Sequence, residues 1–114
     1  MNNSLRPDIT TSQDLSANPL NYTTSIGRRF KLLSVILKFS TAVSETVTIT
    51  LDSVNGANYD WTIRTKILTA ESQYIYLPDS EILCFAGDEI KVECTANNGT
   101  GTVYLTVKTQ EVLK

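Results

Sequence analysis

Thr46-Val47-Thr48-Ile49-Thr50-Leu51 alternates threonine with an aliphatic residue at every step. Successive side chains of a strand point to opposite faces, so this pattern sets Val47, Ile49 and Leu51 on one face and the threonines on the other. A helix would scatter both sets around its circumference. Threonine, valine and isoleucine are also good strand residues, so local preference agrees with the pattern. The stretch therefore predicts a strand with one buried face.

The flanking segments repeat the pattern. Upstream, Leu33, Val35, Leu37 and Phe39 share one face within a strand running from Arg28 to Phe39. A helix over this run would align Leu33, Ile36 and Leu37, but it lacks a good N-cap and its neighbours read as strands. Downstream, Tyr59, Trp61, Ile63 and Thr65 alternate with Asp60, Thr62 and Arg64. Short strands come next at Gln73 to Leu77, stopped by Pro78-Asp79-Ser80, and at Ile82 to Phe85. Ile90, Val92 and Cys94 alternate with Lys91, Glu93 and Thr95, and Val103, Leu105 and Val107 with Thr102, Tyr104 and Thr106. Asn55-Gly56, Ala86-Gly87-Asp88-Glu89 and Asn97-Asn98-Gly99-Thr100-Gly101 carry the composition of turns. Seven strands, or eight with part of the N-terminal segment, at turn spacings of about 8–12 residues predict an all-β fold. The expected architecture is a single antiparallel β-sandwich of jelly-roll type.

Residues 1–27 differ from the rest of the chain. They are rich in Asn, Ser and Thr, and their apolar residues Leu5, Ile9, Leu15, Leu20, Tyr22 and Ile26 obey no period of 2 or 3.6. Pro7 and Pro19 interrupt any regular element. The segment reads as an extended arm preceding a sandwich at 28–114. Alone it buries too little apolar surface to offset its ordering entropy. Its apolar residues Leu5, Ile9, Leu15, Leu20 and Tyr22 are thus candidates for contact with a neighbouring surface during assembly.

With 114 residues and 41% hydrophobic composition, the chain is one ordinary domain. It needs neither metal nor disulfide to fold, since a chain of this length buries roughly 60–70% of its unfolded surface. Ten basic and twelve acidic residues give a net charge of -2, which argues against phosphate-driven nucleic-acid binding. The tight basic cluster Arg28-Arg29-Phe30-Lys31 reads as a solvated strand start. The N-terminus shows no apolar signal region, and the longest apolar stretch, Leu32 to Phe39, is too short to span a membrane. The expected place of work is where the chain is made, or a particle released by lysis.

Histidine is absent, which removes Ser-His-Asp and Cys-His catalysis and the common zinc sites. The five glycines sit mostly alone in turns and form no phosphate loop. Asp52, Asp60, Asp79, Asp88 and Glu89 lie in or beside turns, where such residues are usual formers of the turn itself. No catalytic residue, cofactor or metal ligand is expected. Cys84 and Cys94 are expected as free thiols: in an 84–91 hairpin Cys84 faces Lys91 and Cys94 faces Glu81, about three residues apart at ~3.3 Å each, beyond disulfide reach. Tyr59, Trp61, Tyr74 and Tyr76, with Tyr104, form the aromatic set from which a carbohydrate-binding face could be built. Parity with Ile63 favours a core position for Trp61.

Several segments together resemble small phage virion proteins of jelly-roll type, such as head decoration proteins and head fibres. The residues that carry the likeness are Leu33-Ser34-Val35-Ile36-Leu37-Lys38-Phe39-Ser40, Leu51-Asp52-Ser53 leading through Gly56 to Tyr59-Asp60, and Tyr76-Leu77-Pro78. Ala86-Gly87-Asp88-Glu89-Ile90-Lys91-Val92 and Val103-Tyr104-Leu105-Thr106-Val107 complete it, over residues 28–109. Gly-Asp-x-Ile-x-Val recurs in many sandwiches, because Gly-Asp makes the turn and the apolar residues face the core. The resemblance implies a structural protein of the virion: a symmetric homo-oligomer, with a trimer favoured, docked on a major capsid or other virion protein as decoration or cement. It implies no nucleic-acid or membrane partner and assigns no residue a role. Carbohydrate binding through Tyr59, Trp61, Tyr74 and Tyr76 is the alternative expectation.

Overall fold

The computed structural model describes residues 8–97 and 100–112. Nine strands run in order: β1 (Asp8–Asp14), β2 (Leu20–Ser25), β3 (Phe30–Val43), β4 (Thr46–Asp52), β5 (Trp61–Ile67), β6 (Glu71–Tyr76), β7 (Ile82–Cys84), β8 (Glu89–Cys94) and β9 (Thr102–Glu111). One sheet has the order β1-β9-β3-β6, with the short β7 also paired to β3; the other has the order β2-β8-β4-β5. All the pairings are antiparallel. The fold is therefore the expected all-β sandwich. Four pairs, β1/β9, β2/β8, β3/β6 and β4/β5, nest one inside the next along the sequence, an order that fits a jelly roll.

The core lies between the sheets. Val47, Ile49 and Leu51 of β4 face Val35, Leu37 and Phe39 of β3, with Ile90, Val92 and Cys94 of β8 and Val103, Leu105 and Val107 of β9 completing the layer. The alternation read in the sequence is thus realised, with one shift. A bulge between Leu32 and Ser34 moves Leu33 off the buried row and puts Phe30 and Leu32 there instead.

Residues 8–25 do not form an arm. Residues 8–25 supply an outermost strand to each sheet: Ile9 pairs with Val107 and Tyr22 with Val92. Leu15 and Leu20, at the corner between β1 and β2, are buried in the core. Ile9 and Tyr22 are partly buried and pack against that core. Burial inside one copy explains these four apolar residues without an assembly partner. Leu5 lies outside the described residues, as do Asn98 and Gly99 of the expected turn.

The expected 84–91 hairpin is also corrected. Phe85 and Asp88 do close a turn, with Asp88 N donating to Phe85 O. But β7 pairs with β3 in one sheet, while β8 pairs with β2 and β4 in the other, so this turn carries the chain across the sandwich. Both cysteines are free and buried, Cys84 beside Phe30 and Cys94 between Leu20 and Val47.

Candidate interaction surface

β5 and β6 have one pairing partner each, so both sheets end on the same side of the sandwich with an unpaired strand. The chain passes from one to the other through Leu68, Thr69 and Ala70. This link is held by Leu68 N donating to Glu45 O (2.8 Å) and Ala70 N donating to Ser44 Oγ (2.9 Å). Buried Leu68 anchors it from within.

A bulge decides which side chains β5 presents. Thr62 pairs with Thr50 and Arg64 with Ile49, leaving Ile63 as the extra residue. The parity of the strand changes there. Before the bulge, Trp61 takes Leu51's side; after it, Arg64 and Lys66 take the side of Ile49 and Val47, and Ile67 takes the outer side with Thr46. On β6, Tyr74 and Tyr76 share the sides of Leu37 and Val35, and Ile75 faces outward with Ile36.

The result is a mouth between the two sheet edges. Arg64 Nε donates to Tyr74 Oη at 3.2 Å, spanning from one edge to the other. A groove of about 400 Å³ is lined by Arg64, Tyr74, Ile75, Tyr76, Leu77 and Asp79. Burial, reinforced by the charge of Asp79, raises the pKa of the Tyr76 phenol, so it stays a hydrogen-bond donor.

Several large apolar side chains are exposed on this side, while Val54, Leu83, Phe85 and Tyr104 are exposed elsewhere. Tyr59 is 64% exposed, Trp61 47%, Ile67 71%, Ile75 46% and Leu77 64%. Among the described residues, neither β1 nor β2 on the opposite side carries a large exposed apolar side chain. Trp61 is therefore not a core residue: it lies on the inner side, but at the rim, where no further strand covers it. Tyr59, in the one-turn 3-10 helix Ala57–Tyr59, lies just before it. Tyr74 and Tyr76 line the groove, whereas Tyr104 stands on the outer face in register with Ser12 and Lys38. The aromatic set is split between rim, groove and outer face.

Ile67, Ile75, Leu77 and Arg64 were not singled out from the sequence. The signal that could have found them is mixed character on both faces: Trp-Thr-Ile-Arg-Thr-Lys-Ile alternates imperfectly, as an edge strand with two exposed faces does. Among the described residues, no group of three His, Cys, Asp or Glu side chains is placed to hold a metal ion. No helix among them is long and apolar enough to cross a membrane.

No family model matches the chain, and no curated protein does. Solved structures give matches by shape. One is the Drosophila NLP-core, described for pentamer formation and histone binding; it is 13% identical, with 90% of this chain and 97% of that chain covered at a TM-score of 0.47. Another is the complex of Aeromonas sobria serine protease with its chaperone ORF2, 10% identical, with 99% of this chain and 28% of that chain covered at a TM-score of 0.42. At these identities and scores neither likeness bears on what this chain does.

Proposed function

We propose that the protein is a non-enzymatic structural component that acts by assembly, a symmetric homo-oligomer docked on the shell of a phage particle as decoration or cement. The observation that supports assembly is the gathering of Trp61, Ile67, Ile75 and Leu77 along two unpaired strand edges on one side of the sandwich. Unpaired edges template further pairing, and proteins that remain single copies blunt them with lysine, proline or a covering loop. β6 is not blunted in this way: Glu71 is its sole charge and proline enters only at Pro78, after the strand has ended; β5 carries Arg64, Lys66 and the bulge at Ile63. The shell as second partner rests on the sequence resemblance over residues 28–109.

A carbohydrate-binding reading draws on the exposed rings of Tyr59 and Trp61. The two readings separate experimentally. Mass spectrometry of particles purified from the source should find the protein in many copies, and a glycan array should show no binding that Trp61→Ala removes. Absence from the particles would overturn the virion role. Trp61-dependent glycan binding would establish the second reading in its place.

A further inference from the structure

We propose that Asn55 is a site of spontaneous covalent modification, at which the side-chain amide is lost through a cyclic imide formed with the backbone nitrogen of Gly56. The site lies in the loop after β4 and does not depend on the assembly reading.

The chemistry needs an asparagine whose side-chain carbonyl carbon can be reached by the next backbone nitrogen. That nitrogen gives up its proton to water or hydroxide and attacks Cγ, and the new C–N bond closes a succinimide ring. The Cγ–Nδ2 bond then breaks, and Nδ2 takes up a proton and leaves as ammonia. Water adds to either ring carbonyl. One opening leaves aspartate at position 55. The other leaves isoaspartate, whose main chain runs through the former side chain and is longer by a methylene. Water completes the balance, with no oxidant and no reductant.

A side chain on the following residue crowds this attack, and a proline there removes the attacking N–H; glycine presents neither obstacle. Among the described residues, Asn18 precedes Pro19, Asn21 precedes Tyr22, Asn58 precedes Tyr59 and Asn97 precedes Asn98, whereas Asn55 precedes glycine. Asn21 and Tyr22 are further held in the β2–β8 pairing. Asn98 also precedes a glycine, but it lies outside the described residues.

The local geometry leaves the reaction open. Asn55 and Gly56 are both exposed. Among the described residues, the Asn55 side-chain amide has no hydrogen-bond partner, while its backbone N–H donates to Ser53 Oγ at 3.0 Å. A Cβ built at Gly56 would meet nothing within 4 Å, so the amide has room to swing and water has room to open the ring. The attacking nitrogen donates to Ser53 O at 3.2 Å, at the long end of the range for such bonds.

The rest of the loop is held more firmly. Ser53 N donates to Asp60 Oδ1 at 2.7 Å and Val54 N to Asp88 Oδ1 at 2.8 Å, and Tyr59 N donates to Gly56 O at 3.0 Å. A methylene added to the main chain at position 55 is therefore taken up between Val54 and Tyr59, beside the rim where Tyr59 and Trp61 stand. Each event also adds one negative charge to a chain whose net charge is -2.

Peptide mapping of the native full chain, aged for weeks in mildly alkaline buffer, tests this. Trypsin separates 39–64, with Asn55 and Asn58, from 92–108, with Asn97 and Asn98. Position 55 should exchange its amide for a carboxylate, giving aspartate together with isoaspartate that isoaspartyl methyltransferase labels, while Asn58 and Asn97 stay intact. Asn55→Gln, checked for a native circular dichroism spectrum, should remove the labelled product from 39–64, because its larger ring closes far more slowly. Full retention of Asn55 in the native protein, with conversion in the urea-denatured chain, would show that the turn holds Gly56 N in place and would overturn the proposal. Conversion of Asn58 ahead of Asn55 would overturn it as well. So would aspartate at position 55 with no isoaspartate, since direct hydrolysis gives that product alone.

Discussion

At the scale of single residues, Asp88 shows how a buried carboxylate organises a crossing between sheets. Its Oδ1 accepts from Val54 N and its Oδ2 from Phe85 N, both at 2.8 Å, and it is nearly inaccessible to solvent. Gly87 beside it adopts φ +94, and a Cβ there would stand 2.6 Å from Val54 Cγ2. The turn from β7 to β8 is thereby pressed onto the loop after β4. Asp88→Ala leaves two amides without their charged acceptor, so we expect a loss of roughly 2–4 kcal/mol in urea unfolding. A loss below about 1 kcal/mol would show that water replaces the carboxylate.

The two thiols belong to the same scale. Burial, with the charge of Asp88 as the smaller cause, pushes Cys84 from 9.0 up to about 12; burial, with the charge of Glu45 as the smaller cause, does the same for Cys94. A raised folded-state value means that the native state holds its protons where the unfolded chain releases them. The stability this represents is complete below pH 9.0 and declines as pH rises towards about 12. Native protein should therefore resist thiol reagents near neutral pH and react fully in denaturant. The alkaline loss of stability should be shallower in Cys84→Ala/Cys94→Ala. Rapid labelling of the native thiols would contradict their burial.

At the scale of elements, β1 and β2 change what a truncation should do. Removing residues 1–24 strips an outer strand from each sheet, uncovers the edges of β9 and β8, and deletes Leu15 and Leu20 from the core. Each leucine contributes about 1.5–3 kcal/mol by burial alone, against a total stability of about 5–15 kcal/mol for a domain. We expect the truncated chain to aggregate and to lose a cooperative melt, as read by circular dichroism and light scattering. A soluble, cooperatively melting product would restore the arm.

β1 and β2 escaped the sequence reading for a physical reason. The inward residues of β1 are Ile9, Thr11 and Gln13, and β2 turns Thr24 into the interior, where its Oγ1 accepts from Ile90 N at 3.2 Å. Polar residues are tolerated at a sandwich rim, so the alternation that marks a central strand is muted there. β4, β8 and the first part of β9, up to Val107, were legible because these strands are paired on both sides and their inward residues there are aliphatic or cysteine. The interaction surface was not legible, because it depends on which strands end up outermost and on a bulge at Ile63. Neither can be read from hydrophobic period alone. Trp61 shows the limit: its parity was inward, but its sheet stops beside it.

At the scale of the whole molecule, the sandwich has two unlike sides. The β1/β2 side is polar outside and sealed by Leu15 and Leu20 at its corner, with Asp8 and Lys108 paired at 3.0 Å across the β1–β9 seam. The β5/β6 side leaves apolar side chains uncovered, while strand edges lie open on both sides. A surface so divided offers one side for contact and keeps the other in water, as an oligomer of defined size requires.

The nesting of β1/β9 outside β2/β8 outside β3/β6 and β4/β5 has a consequence for synthesis. The first of these strands to leave the ribosome pairs with the last, Asp8 with Lys108, 100 residues later. At about 5–20 residues per second the wait is roughly five to twenty seconds. Through that interval Leu15 and Leu20 have no completed core to enter, while the inner pairs are free to zip as they emerge. On this order the fold closes from its middle outwards, and β1 finds its partner only after every other strand has been made.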